Sequence, residues 1–153
     1  MKKWGWIALL WAGCLSLTGC CSTCRAYQKL RQPLVGTEWH LIQLQGQPVA
    51  ALEGQFTLHF SPTGEVTGMG DCNRFMGSYS TADDRSLQIG PLASTRRLCR
   101  QSRETELFST LEQVTHYDMD GPMLLLLNRG RLVALFESVV SPQSGKSEEG
   151  GKR

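Results

Sequence analysis

The chain has 153 residues, of which 41% are hydrophobic and 20% are charged, and its formal net charge is +2. Residues 34–138 contain eight basic and twelve acidic residues, a balance of minus four, so nucleic-acid binding has no electrostatic support. These roughly one hundred residues suffice for a single domain with one hydrophobic core.

The N-terminus carries the features of an export signal. Two lysines precede an apolar stretch over residues 4–17, which is shorter than the roughly 20 residues of a membrane-spanning helix. The last residue of this stretch begins the sequence Leu-Thr-Gly-Cys at residues 17–20, which resembles the lipobox of bacterial lipoproteins. We therefore predict a signal peptide over residues 1–19, lipidation of Cys20 and a polar tether over residues 20–33.

The lipid anchor predicts where the protein resides. Cys14 is a competing lipidation site, but Trp11 stands where a lipobox has an aliphatic residue. Bacterial lipoproteins stay in the inner membrane mainly when aspartate follows the lipidated cysteine, and here Cys21 follows Cys20. We expect attachment to the outer membrane, on its periplasmic face, where several acyl chains hold a protein firmly. The first predicted partner is thus the membrane, bound through the N-terminal lipid.

The remaining cysteines need separate assignments, because an exported protein meets an oxidising compartment. Cys72 and Cys99 lie inside the folded segment and are the natural disulfide pair, and closing this loop would add about 3–4 kcal/mol to stability. Cys21 and Cys24 form a Cys-x-x-Cys pattern in the tether, which supplies neither the helix start of a redox pair nor further zinc ligands. A local disulfide, an intermolecular bridge and free thiols stay open for them. We predict no metal and no cofactor.

The hydrophobic pattern of the folded segment predicts strands first and then one helix. Five strands are predicted before the helix, at residues 37–44, 55–60, 65–69, 75–79 and 86–89. The helix is predicted over residues 101–114, where Leu107, Phe108, Leu111 and Val114 form one apolar stripe.

The end of the chain predicts a hairpin and a tail. Strands over residues 123–127 and 132–137 are joined by a short turn that contains Gly130. Residues 139–153 are predicted to be disordered, because glycine, serine and charged residues dominate them. The expected fold is α+β, with a curved antiparallel sheet, or half-barrel, covered by one principal helix.

Four segments in the expected order resemble the META domain family, which includes HslJ-like lipoproteins. They are residues 34–41, residues 72–79 with the first cysteine, residues 89–99 with the second, and the paired strands 124–127 and 132–136. The resemblance implies a curved antiparallel sheet over residues 34–138 and an association with heat shock and antibiotic tolerance, but no catalytic residue. Asp71 stands where the family usually has glycine, directly before Cys72.

The sequence shows no pattern typical of an enzyme. The chain has three histidines but neither a Gly-x-Ser-x-Gly nor a His-Glu-x-x-His motif. The glycines near residues 68–70 lead into a predicted strand, whereas phosphate binding needs a helix start. We predict a non-enzymatic accessory lipoprotein of envelope stress or antibiotic tolerance. The alternatives are an enzyme and a redox protein that uses Cys21 and Cys24.

Two groups of residues are candidates for binding. An apolar ligand or partner segment is predicted to meet the concave face of the sheet, because apolar residues exceed what one short helix can cover. The candidates on this face are Trp39, Phe56, Leu58 and Phe60. The alternative is that the same residues close a dry core.

The second candidate group is basic. Arg96, Arg97 and Arg100 precede the predicted helix and Arg103 lies in its first turn. The helix dipole does not favour positive charge there, and this suggests an anionic partner such as a lipid or another envelope protein. The alternative is that Glu104 and Glu106 neutralise them. Asn73 could join a binding site, although asparagine beside a glycine-rich turn more often bonds to the backbone.

Overall fold

The computed structural model describes residue 27, residues 29–99 and residues 102–139. Within these ranges the chain forms ten strands and one helix. The strands are β1 (Glu38–Leu44), β2 (Gln47–Pro48), β3 (Thr57–Phe60), β4 (Glu65–Met69), β5 (Arg74–Thr81), β6 (Leu87–Ile89), β7 (Ala93–Ser94), β8 (His116–Asp120), β9 (Met123–Asn128) and β10 (Arg131–Ser138). The helix α1 (Glu104–Leu111) lies between β7 and β8 in the chain. The predicted signal peptide, Cys20, Cys21, Cys24, Arg100 and the tail beyond residue 139 lie outside the described residues.

The sheet curls until its two outermost strands meet. Its main path runs β6-β5-β4-β3-β1-β10-β9-β8, while β2 pairs with β1 and β7 with β5, all antiparallel. At the seam between β6 and β8, the Tyr117 amide donates to the Arg85 carbonyl at 3.0 Å and the Leu87 amide to the Thr115 carbonyl at 3.0 Å. The domain is therefore a nearly closed, mostly antiparallel barrel with one short helix. The predicted half-barrel was wrong because β8, which completes the wall, was not predicted.

The inward faces of the strands form one core. Trp39 and Leu41 of β1 point inward in alternation, and a bulge between Leu41 and Gln43 then shifts the register so that Leu44 is also buried. The Trp39 indole N–H donates to the Leu34 carbonyl at 3.1 Å, which fastens the segment before β1 to the core. Burial of this apolar surface is the main force that holds the barrel together.

The helix α1 covers one end of the barrel. It is shorter than predicted, because it begins at Glu104, whose amide donates to the Ser102 hydroxyl at 3.1 Å, and ends at Leu111. Leu107 and Leu111 are buried in the core, and Phe108 packs edge-on against Phe75. The predicted apolar stripe is thus the face that contacts the barrel.

The two ends of the barrel differ in what they carry. At the tether end, where the chain enters β1, the Thr37 hydroxyl donates to the Pro33 carbonyl at 2.6 Å and the Tyr27 hydroxyl donates to the Asp120 carbonyl at 3.3 Å. At the helix end, the Arg103 guanidinium donates to the carbonyl of Leu44, the last residue of β1, at 3.1 Å. The two ends are separated by about 20 Å, the length of β1. Among the described residues, no helix has the length and apolar character needed to cross a membrane.

Candidate functional site

The candidate site is a loop at the helix end of the barrel. Residues 95–99, which we call the basic loop, follow β7 and adopt neither helix nor strand. Strand β7 is held at the edge of the sheet by pairing with β5, where Ser94 lies opposite Phe75. Beyond β7 the sequence Thr-Arg-Arg-Leu-Cys has no alternation of apolar and polar residues, so the chain leaves the sheet there.

A disulfide closes the base of the basic loop. Cys72 and Cys99 are bonded, as predicted, with Cα atoms 6.2 Å apart and a separation of 27 positions in the chain. Their sulfurs and a Glu104 carboxylate oxygen lie within 4.8 Å of one another. Metal ligation by cysteine needs thiolates, and these sulfurs are engaged with each other, so the arrangement braces the loop.

Asn73 fastens the basic loop to the barrel through its side chain. Its Oδ1 accepts hydrogen bonds from the Thr95 hydroxyl at 2.8 Å and from the Arg97 amide at 2.6 Å. Its Nδ2 donates to the Arg97 carbonyl at 3.0 Å and to Glu104 Oε2 at 2.8 Å. Because both donor hydrogens and the acceptor oxygen have partners within the protein, Asn73 positions the loop and has little capacity left for a ligand.

The third element that holds the basic loop is Glu104. We call the Cys72–Cys99 disulfide, the Asn73 side chain and the Glu104 carboxylate together the brace. The backbone N–H of Asn73 donates to Glu104 Oε1 at 2.9 Å. Glu104 also lies in the first turn of α1, where the helix dipole favours a carboxylate. Its side chain fills the space beside Gly70, where the Cβ of any other residue would overlap the carboxylate. Gly70 is therefore needed so that the Glu104 carboxylate can pack against the backbone at this position. The sequence left open that Glu104 neutralises the arginines, and the structure buries it against Asn73 instead.

The basic loop exposes the side chains that its brace does not use. Arg96 and Arg97 are exposed, and the Leu98 side chain is fully exposed, at 102% of its reference area. The Asn73 side chain bonds to the backbone amide and carbonyl of Arg97 and not to its side chain, so the Arg97 guanidinium lies outside the brace. A groove of about 500 Å³ separates the loop from α1, with Ser102, Thr105 and Phe108 among the residues that line it.

Arg103 differs from the arginines of the loop. Its guanidinium donates to the two carboxylate oxygens of Glu106 at 2.8 and 3.0 Å. This side-chain hydrogen bond raises the pKa of Arg103 above its ordinary value and lowers that of Glu106 below its ordinary value. The expected neutralisation thus occurs at Arg103, and within the described residues Arg96 and Arg97 remain as the basic surface of this loop.

The predicted apolar binding residues lie inside the barrel. Trp39, Leu58 and Phe60 are each 0% exposed and Phe56 is 6% exposed, all in one core cluster. The excess of apolar residues arises because the sheet closes, so residues on facing strands cover one another. Binding of an apolar ligand by these four residues would require the barrel to open, and it stays a prediction.

These features define a class of protein: a small antiparallel barrel with one helix across its end and a disulfide-braced loop beside that helix. The META domain family model matches residues 32–140, so the chain belongs to the META domain family. No curated protein matches the sequence.

Two solved structures of bacterial proteins have a similar fold. A DUF4847 family protein from Bacteroides vulgatus is 18% identical and aligns with a TM-score of 0.54 over 68% of this chain and 93% of its own. A protein from Burkholderia xenovorans, solved by NMR, is 28% identical and aligns with a TM-score of 0.54 over 75% of this chain and 88% of its own. The first of these shows a shared fold alone. Both support a small single domain.

Proposed function

We propose that the protein is a lipid-anchored, non-enzymatic accessory of the bacterial envelope that binds an anionic partner with its basic loop. The observation that carries this proposal is the contrast within the loop: its base is fixed by a disulfide and by Asn73, while Arg96, Arg97 and Leu98 face outward. A surface that is ordered before binding loses less conformational entropy when it binds.

The charge of the domain supports an anionic partner. The folded segment has more acidic than basic residues, so the exposed pair Arg96 and Arg97 is a local exception. A positive patch on a negative domain steers one face toward an anion and disfavours the others. Arg103 adds little, because Glu106 already pairs with it.

The anchor is proposed from the sequence. Lipidation of Cys20 and location on the periplasmic face of the outer membrane are supported by the lipobox at residues 17–20 and by the absence of aspartate after it. Replacing Cys20 by alanine should abolish incorporation of labelled fatty acid into the full chain. Incorporation that persists in Cys20→Ala but stops in Cys14→Ala would move the anchor to Cys14.

A non-enzymatic role is supported by how the buried polar groups are used. Asn73 and Glu104, the buried amide and carboxylate of the site, are hydrogen-bonded to each other and to the loop. A general acid or base needs a proton that it can exchange with a substrate. The redox alternative rests on Cys21 and Cys24, which lie outside the described residues. A role in envelope stress or antibiotic tolerance is supported by the family resemblance alone.

The proposal is tested by cross-linking from the loop in living cells. A photoreactive amino acid replaces Leu98 in the full chain, and the same residue at Leu52, which is 72% exposed in another loop, is the matched control. Irradiation should trap a partner from position 98 and not from position 52. The cross-link should disappear when Arg96→Glu and Arg97→Glu are added.

A second control separates local recognition from total charge. Arg129→Glu reverses an exposed arginine on the β9–β10 turn, at the same end of the barrel, and should leave the cross-link intact. Equal cross-linking from positions 98 and 52, or equal loss in both sets of charge variants, would reject the basic loop as a binding site.

A further inference from the structure

We infer that the anionic partner of the basic loop is the phospholipid surface of a bilayer, with Leu98 inserted among the lipids and Arg96 and Arg97 paired with phosphates. This inference rests on the proposed function, since it names the partner of the same loop. Three observations carry it: the shape of the loop, the hydrogen bonding of the Arg97 backbone, and the distance of the loop from the anchor.

The shape of the loop suits a bilayer surface, into which an exposed side chain can insert. The Leu98 side chain is fully exposed to solvent. In the chain it follows Arg96 and Arg97 and precedes Cys99 of the disulfide. An apolar side chain beside cations is the pattern by which peripheral segments enter the boundary between headgroups and acyl chains. Each arginine near an anionic leaflet strengthens such binding about fivefold.

Within the loop, the backbone of Arg97 is already hydrogen-bonded inside the protein. The amide and carbonyl of Arg97, next to Leu98, are both hydrogen-bonded to the Asn73 side chain, at 2.6 and 3.0 Å. Unpaired backbone groups make insertion of an ordinary loop unfavourable, because lipid cannot satisfy them. The Asn73 side chain removes that penalty at Arg97. Among nearby acidic groups, Glu104 is buried and Glu106 is paired, while half-buried Asp71 precedes the disulfide.

The anchor permits this contact geometrically. Tyr27 is fixed at the tether end by its hydrogen bond to Asp120, and it lies seven positions after Cys20 in the sequence. Seven extended residues reach at most about 23 Å, which matches the barrel length of about 20 Å. A chain acylated at Cys20 can therefore lay its helix end on the bilayer that holds its lipid.

The test reads the position of the loop directly. The acylated full chain carrying Leu98→Trp is reconstituted in vesicles of phosphatidylcholine, with or without phosphatidylglycerol, that contain lipids brominated along their acyl chains. Bromine quenches tryptophan only at close range. After subtraction of the signal of the unmutated chain, whose Trp39 is buried, quenching should be marked in phosphatidylglycerol vesicles and weak in pure phosphatidylcholine.

Matched variants make the result specific. Adding Arg96→Gln and Arg97→Gln should shift the equilibrium between inserted and free loop about 30-fold toward free. These substitutions leave the backbone bonds to Asn73 in place, and Arg129→Gln should have no effect. Leu52→Trp, a similarly exposed site beside Glu53, should show weak quenching in both kinds of vesicle.

The outcomes separate this inference from the proposed function. If Leu98→Trp is unquenched in anionic vesicles while the charge-dependent cross-link to a protein persists in cells, the lipid inference is overturned and the proposed function stands with an acidic protein as the partner. If quenching and the cross-link are both absent, both fail. Equal quenching of Leu98→Trp and Leu52→Trp would also overturn insertion by the basic loop.

Discussion

The barrel interior and the basic loop are built in opposite ways. Inside the barrel, side chains from facing strands cover one another, and Leu58 is 0% exposed. In the loop, Leu98 is 102% exposed, and the local shape depends on a disulfide and on the contacts of Asn73 and Glu104. Apolar packing therefore determines the fold, whereas covalent and polar contacts determine how the candidate site is presented. Each can be perturbed separately.

The largest effect is expected from the interior. Leu58→Ala should lower the free energy of unfolding by about 2–5 kcal/mol, because it removes buried contacts and leaves a cavity between β1 and β4. The same substitution at Leu98 should change it by less than about 0.5 kcal/mol, because this side chain is exposed. Urea unfolding of both variants measures the difference. Similar destabilisation by the two substitutions would contradict the contrast between interior and loop.

Removal of the disulfide should have the next largest effect. Cys72→Ser with Cys99→Ser is expected to lower the free energy of unfolding by about 3 kcal/mol, because the unfolded chain regains the freedom of the closed loop. Trypsin should also cleave after Arg96 and Arg97 faster, since the base of the loop is released.

The control for this experiment is the other pair of cysteines. Cys21→Ser with Cys24→Ser should leave both the unfolding transition and the rate of tryptic cleavage unchanged, because these residues precede the folded segment. A loss of stability in this control would show that the tether cysteines act on the domain and would revive a structural or redox role for them.

Two glutamates in the first turn of α1 allow a finer comparison. Glu104→Gln should cost about 1–3 kcal/mol, because its amide places a donor against the Asn73 donors and leaves buried groups unpaired. Glu106→Gln should cost less than about 1 kcal/mol, because it loses one partly exposed ion pair. Only the first should accelerate tryptic cleavage of the loop. Equal acceleration by both would mean that Glu104 is not part of the brace.

Much of the barrel follows from sequence patterns. Alternation of apolar residues predicted β3, apolar runs between turn residues predicted β1, β4, β5, β6 and the hairpin of β9 and β10, and the cysteine pairing followed from the predicted compartment. Strand β8 was missed because His116, Asp118 and Asp120 are exposed and no residue of the strand is fully buried. Its place in the wall comes from pairing with β9 and from the seam with β6. The local sequence carries no signal of either.

The candidate site was predictable only in part. The arginines were found from their density, and Asn73 from its position beside a glycine-rich turn. The role of Glu104 was missed because an acidic residue in a first helical turn is ordinary on the surface of a protein. Its burial depends on β5 bringing Asn73 beside α1, a contact between residues 31 positions apart. Trp39 was predicted to line a binding face, but it is buried in the core because the sheet closes.

The smallest effect concerns the ion pair of Arg103 and Glu106, which lies beside the brace without belonging to it. The pKa of Glu106 is lowered in the folded state, first by the hydrogen bond from Arg103. The pair therefore contributes stability that is complete above the ordinary glutamate pKa of about 4.3 and is lost as the pH falls through the lowered value. Because the Glu106 side chain is 40% exposed, solvent screening keeps this contribution below about 1 kcal/mol.

The measurement compares urea unfolding of the unmutated chain and of Glu106→Gln at about pH 6 and at about pH 3. The unmutated chain should be slightly more stable than Glu106→Gln at the higher pH, and this difference should shrink at the lower pH, because protonation of the carboxylate breaks the ion pair. Salt at about 1 M should shrink the difference at the higher pH as well. A difference of the same size at both pH values would mean that Glu106 acts through packing. Tryptic cleavage of the basic loop should stay unchanged by the substitution, because Asn73 and Glu104 still hold the loop when the neighbouring ion pair is gone.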